Sequence, residues 1–309
     1  MMMDRLPSWN DGAAKRAIVD FVTRTTAEGG PDYVPAPDRV ALFDNDGTLW
    51  VEQPMYTQLT FVLDDVRRLA PQHPEWASTE PFKSVLENDL VGLAAAGVPG
   101  VMKLLAATQC GMTTEEFNKT AGDWVEKARH PRFDRLYTQC VYQPMLELID
   151  YLKANDFEVY IVTGGGVEFV RAWAQRVYGV PPRRVVGSSL KTKFELRDAG
   201  PALIRTPEIN LVNDGPGKPV GIHEFIGKQP IAAFGNSDGD LEMLQWTAAG
   251  TGARLLLLVH HTDSEREYAY DAHSAFGMLS KALDEARSRG WIVVDMKRDW
   301  NTIFSSVSP

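Results

Sequence analysis

Cysteine is nearly missing from this chain: Cys110 and Cys140 are the only two in 309 residues. Two thiols make neither a disulfide framework nor a zinc-ligand set, so a reducing, cytoplasmic compartment is the expectation. Long apolar runs are missing as well. No stretch approaches the ~20 residues that cross a bilayer. The start, "MMMDRLPSWNDGAAKRAIVDF", lacks a basic segment followed by an apolar run and a small-residue cleavage site. Neither a membrane span nor an export signal is therefore expected. No block is dominated by charge of one sign: acidic and basic residues are interspersed, with a formal net charge of -9. That argues against nucleic acid or an anionic membrane as the main partner and for a small molecule. Internal repeats and low-complexity tracts are absent too.

What is present suits one large globular unit with an insertion. After an amphipathic helical stretch, "AAKRAIVDFVTRT", the four apolar residues Val40 to Phe43 read as a strand buried on both faces. Helical patterns then run to about Phe133, including "QLTFVLDDVRRLA", "DLVGLAAAGVPGVMKLLAAT" and "MTTEEFNKTAGDWVEKAR". In the last of these, Thr113 and Glu116 form a capping-box signature. From about Gln143 helix and strand alternate: "MLELIDYLKAND" then "FEVYIVTGGG", "VEFVRAWAQRVYG" then "RRVVGSSL". A turn-rich detour with an expected β-hairpin interrupts at "KTKFELRDAGPALIRTPEINLVNDGPGKP". The alternation resumes through "PIAAFGNSDGDLEML", "RLLLLVHH" and "WIVVDM". The expected fold is α/β, a parallel sheet between helical layers, with a core of residues 1–54 and 136–309 and a helical insertion of residues 55–135.

In such sheets ligands bind beyond the carboxyl ends of the strands. Three apolar strands here end in polar clusters, "DNDGT", "TGGG" and "GNSDGD". In the first, Asp44 and Asp46 lie two apart and so face one small volume. Two like charges there are costly unless a cation or a proton-transfer reaction uses them. Asp44 suits a nucleophile attacking phosphorus to give an acyl phosphate, and Asp46 a general acid and base. Mg²⁺ shared with the transferring group fits the acidic cluster. The plainer alternative is an Asp-Gly turn with solvated carboxylates.

In the second cluster Thr163 offers a hydroxyl, and Gly164 to Gly166 offer backbone N–H groups at a helix start, an anion site. The alternative is a strand-to-helix turn that needs glycine. A dinucleotide fingerprint fails because Phe169 stands where a glycine is required. In the third, Asn236, Asp238 and Asp240 carry oxygens suited to a hard cation, or serve as a cap and turn. Lys218 in "DGPGKPVG" is a candidate point charge toward Asp44 and a phosphate, against the ordinary reading as a solvated lysine. His260 and His261 end a strand near the cleft, and a structural role is preferred for them. Trp50 is expected to pack, or to shield the aspartates. Glu168 and Arg171, one turn apart, are expected to pair on a helix surface.

In order and type these clusters resemble the haloacid dehalogenase superfamily, specifically its phosphatases with a helical cap after the first motif, in the style of phosphoserine phosphatase. The resemblance rests on Asp44 and Asp46 of "DNDGT", Thr163 and Gly164 of "VTGGG", Lys218 of "GKP", and "GNSDGD", and spans Val40 to Leu244. It implies a Mg²⁺-dependent phosphomonoester hydrolase acting on a small phosphorylated substrate. The catalytic residues would be Asp44, Asp46, Thr163 and Lys218, and Gly164 and Gly165 would hold the phosphate. It also implies a metal held by the Asp44 side chain, the Asp46 backbone carbonyl and the position of Asn236, with Asp240 assisting. The second aspartate favours phosphate over haloacid chemistry. Two departures stand out. Asn236 replaces an aspartate common among relatives, and Gln53 falls where phosphoserine phosphatases carry a glutamate that meets the substrate's amino group, with Glu52 one short. A phosphotransferase, or a non-catalytic binder of metal or phosphate on the same fold, are the competing readings.

Overall fold

Val40–Phe43 forms β1, four consecutive buried residues at the centre of the molecule. Its side chains alternate between two cores, as a strand must when both faces are covered. Ala41 and Phe43 face one apolar layer, and Val40 and Leu42 face the other. The computed structural model describes residues 5–305, so the first four residues of the stretch read for an export signal lie outside it.

The remaining strands are β2 (Glu158–Gly166), β3 (Val185–Arg197), β4 (Gly200–Leu211), β5 (Ala232–Gly235), β6 (Leu255–His260) and β7 (Ile292–Asp295). They form a seven-stranded sheet in the order β4-β3-β2-β1-β5-β6-β7. All neighbours are parallel except β3 and β4, which run antiparallel. Because the chain passes from β1 to β2 on one side and reaches β5 on the other, a crevice opens beyond the carboxyl end of β1. Phe43 and Phe234 stack across β1 and β5 with ring centroids 4.3 Å apart, fixing the spacing beneath that crevice.

The α/β architecture and the helical insertion after β1 agree with the sequence reading. The insertion holds helices Thr57–Leu69, Phe82–Leu86, Leu90–Gln109 and Thr114–Val125. Thr113 caps the last of these reciprocally with Glu116, at 3.0 and 2.7 Å. Val62, Val66, Trp76, Phe82 and Leu104 form an apolar cluster of their own, whereas Phe117, Ala121 and Val125 join the main core. A cap of residues 55–135 is therefore kept as a proposal whose last helix is anchored to the sheet layer. Leu90–Gln109 is broken at Gly97, which takes a φ of 55°, just before Pro99. Among the described residues no single helix is long and apolar enough to cross a membrane.

The expected β-hairpin is present, as β3 itself continues through "KTKFELR" and returns as β4. The hairpin is tied to the insertion by the Arg205 amide donating to Met112 O at 3.0 Å and the Gly111 amide to Arg205 O at 2.9 Å. Two other local expectations are corrected. The helix expected from "VEFVRAWAQRVYG" is two short pieces, Val167–Arg171 and Ala174–Tyr178, broken at Trp173, whose ring stacks on Trp50 at 4.3 Å. Glu168 and Arg171 do not pair. Arg171 donates to the carbonyls of Pro182 and Val185 at 2.9 and 3.0 Å, while Glu168 pairs with Arg205, delivered by β4. A buried partner outcompetes a solvated one-turn pair, which contributes only a few tenths of a kcal/mol, about 0.2–0.5.

Candidate active site

β1 delivers Asp44 to the crevice, where its backbone amide is held by Phe234 O at 2.9 Å. Lys218, near the start of the helix Gly217–Phe225, reaches it from beneath. The ammonium donates to Asp44 Oδ1 at 2.6 Å, Asp240 Oδ1 at 2.6 Å and Val162 O at 2.9 Å, using all three of its protons. It is 1 % exposed, so the sequence alternative of a solvated lysine is excluded. Burial works against this ammonium, but Asp240 and Asp44 outweigh it and hold it above the ordinary lysine range. Burial and repulsion from Asp240 push Asp44 well above the usual carboxylate range, with Lys218 opposing.

Gly47 takes the positive φ of 75° that the turn after Asp46 requires. The turn brings Trp50 back so that its indole N–H donates to Asp46 Oδ1 at 2.8 Å. Trp50 thus both packs and touches the site, since its ring is buried against Trp173. Burial raises the Asp46 pKa, and the Trp50 hydrogen bond partly offsets this. A carboxyl group raised in this way is suited to carrying a proton.

Thr163 is buried at the end of β2, where its hydroxyl accepts from the Gly165 amide at 3.0 Å. The Gly166 amide donates to Gln58 Oε1 at 2.6 Å. Two of the three glycine amides expected to await an anion therefore already have side-chain partners, one of them from the insertion. The loop is a turn held in shape, and Gly164 and Gly165 line the cavity together with Asp44, Asp46 and Lys218.

Beyond β5, Asn236 and Asp240 separate in role. Asp240 Oδ2 accepts the Asn236 and Ser237 amides at 2.9 and 3.0 Å, so this carboxylate orders its own loop while its other oxygen meets Lys218. Asn236 accepts from Thr48 at Oδ1, 2.9 Å, and donates from Nδ2 to Glu52 Oε1 at 2.7 Å. Asp238 leaves the cluster: its Oδ1 caps the Ser280 and Ala282 amides at 2.9 Å each.

Glu52, not Gln53, faces the cavity. Gln53 turns away and donates to Ser274 and to the Phe276 carbonyl at 2.9 Å each. Glu52 is buried, accepts the Tyr270 hydroxyl at 2.7 Å, and is raised well above its usual range by burial and by Asp46 and Asp44. Its importance is invisible locally, because Asn236 and Tyr270 reach it from 184 and 218 positions away. His261 is structural: it is buried, Nε2 donates to Gly47 O at 2.8 Å, and Nδ1 lies 3.1 Å from Glu267. It thereby supports the turn after Asp46 from behind. His260 lies apart, 3.8 Å from Asp271.

The donors fit a hard cation. Among the described residues no three Asp, Glu, His or Cys side chains converge on one point. An ion here would draw on mixed oxygens, the Asp44 carboxylate and the second lone pair of the Asn236 amide oxygen that already accepts from Thr48. The acidic excess supports the fit. Asp44 and Asp240 share the one ammonium of Lys218 while Asp46 and Glu52 lie close enough to repel Asp44, and burial raises Asp44, Asp46 and Glu52. A cation would relieve that repulsion.

A family model for haloacid dehalogenase-like hydrolases matches residues 41–245, from β1 to the helix after β5. No curated protein sequence matches significantly. Among solved structures, a conserved protein of unknown function from Anaerococcus prevotii aligns with a TM-score of 0.58 at 15% identity, over 93% of this chain and 92% of its own. A protein of unknown function from Bordetella pertussis aligns with a TM-score of 0.50 at 18% identity, over 84% and 98%. A phosphoserine phosphohydrolase-like protein from Francisella tularensis is also similar, with a TM-score of 0.40 at 14% identity over 81% and 99%. At these identities the likeness concerns the fold.

Proposed function

Because the chain belongs to the haloacid dehalogenase-like hydrolase family, we propose that it is a Mg²⁺-dependent phosphomonoester hydrolase working through an aspartyl phosphate. The observation that carries this reading is the Lys218 ammonium held between Asp44 and Asp240 at 2.6 Å each, beside a second, raised carboxyl group on Asp46.

Asp44 attacks phosphorus, the ester P–O bond breaks, and Asp46 gives its proton to the departing oxygen. Asp46 then takes a proton from water as that water attacks the phosphoryl group, and phosphate leaves with Asp44 restored. Lys218 keeps Asp44 oriented and offsets phosphate charge. Thr163 and the Gly164 and Gly165 backbone hold the phosphoryl oxygens once Gly165 exchanges its bond to Thr163 for one to substrate. Mg²⁺ would be held by Asp44, the Asp46 carbonyl and Asn236, with Asp240 ordering the loop. It would neutralise charge on the transferring group. The insertion excludes water while the acyl phosphate forms. A reducing cytoplasmic setting is consistent with the two free cysteines, Cys110 and Cys140.

The test is phosphate release from a panel of phosphomonoesters with Mg²⁺ and after thorough chelation. Release that depends on the metal supports the reading. Release unchanged by chelation removes Mg²⁺ from it, and no release from any ester by folded protein contradicts it.

A further inference from the structure

The cavity that begins at Asp44, Asp46 and Lys218 has a volume of about 540 Å³ in all and extends between the sheet, the insertion and the β3–β4 hairpin. That volume falls within the ~300–1,000 Å³ of pockets that bury a whole organic ligand. Much of its wall is apolar, beside polar lining from Gln58, Ser188 and Ser189. Leu59, Val101, Leu105, Leu190, Leu211 and Phe276 all line it and are only half-buried, so each keeps a face for something other than protein.

The cationic side chains lining the cavity, among the described residues, are Lys218 and Arg205. Lys218 is committed at the phosphate end. Arg205 is 5 % exposed, paired with Glu168, donates from Nε to Gln109 O at 3.0 Å, and lies 3.8 Å over the Phe117 ring. Neither is free to receive a carboxylate on the substrate's far end, and an unpaired charge in an apolar enclosure is costly.

Resting on the phosphatase reading, we propose that the substrate is a phosphomonoester whose alcohol portion is uncharged and apolar, an alkyl or aryl body rather than an amino acid. The phosphate sits at Asp44 and the body lies along Leu59, Leu105 and Leu211. The acidic side chains Glu52 and Asp214 also face the cavity, near its polar end. They make a phosphorylated amine the rival, which the test separates.

The experiment measures kcat/KM with Mg²⁺ for n-alkyl phosphates from ethyl to decyl, beside phosphoserine and phosphoethanolamine. The expected result is a rise of about two- to fourfold per added methylene until the cavity is filled, with phosphoserine and phosphoethanolamine at least tenfold below butyl phosphate. Replacing Leu59→Gln or Leu105→Gln should flatten the rise, read as a smaller decyl-to-ethyl ratio in the same preparation. A flat series in an active enzyme, or either charged ester exceeding butyl phosphate, would overturn the apolar assignment and leave the hydrolase standing. No turnover of any member would overturn both.

Discussion

Lys218 Nζ stands 2.6 Å from Asp44 Oδ1, joining residues 174 positions apart in the chain. The same nitrogen lies 2.6 Å from Asp240, so removing it leaves two buried carboxylates facing each other. Breaking a buried pair in this way costs about 3–5 kcal/mol. Lys218→Met should therefore lower unfolding free energy by that order in chemical denaturation. It should also reduce kcat by at least about 10²-fold, as loss of a preorganised charge does. Lys218→Arg should not restore the rate, because a planar guanidinium cannot replace a point charge bound to three acceptors.

Glu52 and Asn236 form the second coupled pair. Placing an aspartate at position 236 puts a carboxylate against Glu52, where the Asn236 amide now donates at 2.7 Å. In chelated protein Asn236→Asp should destabilise by about 1–3 kcal/mol. Glu52→Gln should rescue it, giving a coupling energy of about 1 kcal/mol or more in a double-mutant cycle. Additive effects would show that the two side chains act independently.

The pH dependence of stability has a definite sign. Burial raises Glu52, Asp44 and Asp46, so over this range the folded chain holds protons that the unfolded chain has released. Their stabilising effect is fully present below the ordinary carboxylate range near about pH 4 and is lost as pH rises through the folded values. His130 and His260, lowered by burial, act in the opposite direction. The clean readout is therefore a difference: in chelated protein the melting temperature of Glu52→Gln should gain on the parent as pH rises from about 5 to 8. A gap independent of pH would contradict the assignment.

Trp50→Phe removes the indole donor from Asp46 while keeping an aromatic ring against Trp173. Asp46 should then hold its proton to higher pH, moving the alkaline limb of kcat/KM upward. A pH–rate profile unmoved while kcat falls would assign Trp50 to packing alone.

How much of this was legible depends on the range of the interaction. Asp44, Thr163 and Asn236 could be read because each ends an apolar strand, and in a parallel sheet strand ends converge. Lys218 could be read only through the order of the clusters, since nothing near "GKP" reveals that it is buried. Spacing along the chain points to Gln53, whereas the folded chain turns Glu52 to the cavity and Gln53 to Ser274 and Phe276. Arg205 and the hairpin wall were missed altogether. The apolar residues of "PALIRTPEINL" do not alternate cleanly, and only the bonds joining Arg205 to Met112 and Gly111 show that this strand helps close the cavity. The Glu168–Arg171 pair failed for the same reason: its competitor comes from a different element.

The central claim is that Asp44 becomes phosphorylated. The most direct measurement is to mix the enzyme with Mg²⁺ and a hydrolysed phosphomonoester, quench in acid, reduce with borohydride and sequence the peptides by mass spectrometry. An acyl phosphate is reduced to the alcohol, so homoserine should appear at position 44 and be absent without substrate. Full turnover by Asp44→Asn, with no modification at position 44 in the parent, would contradict the account.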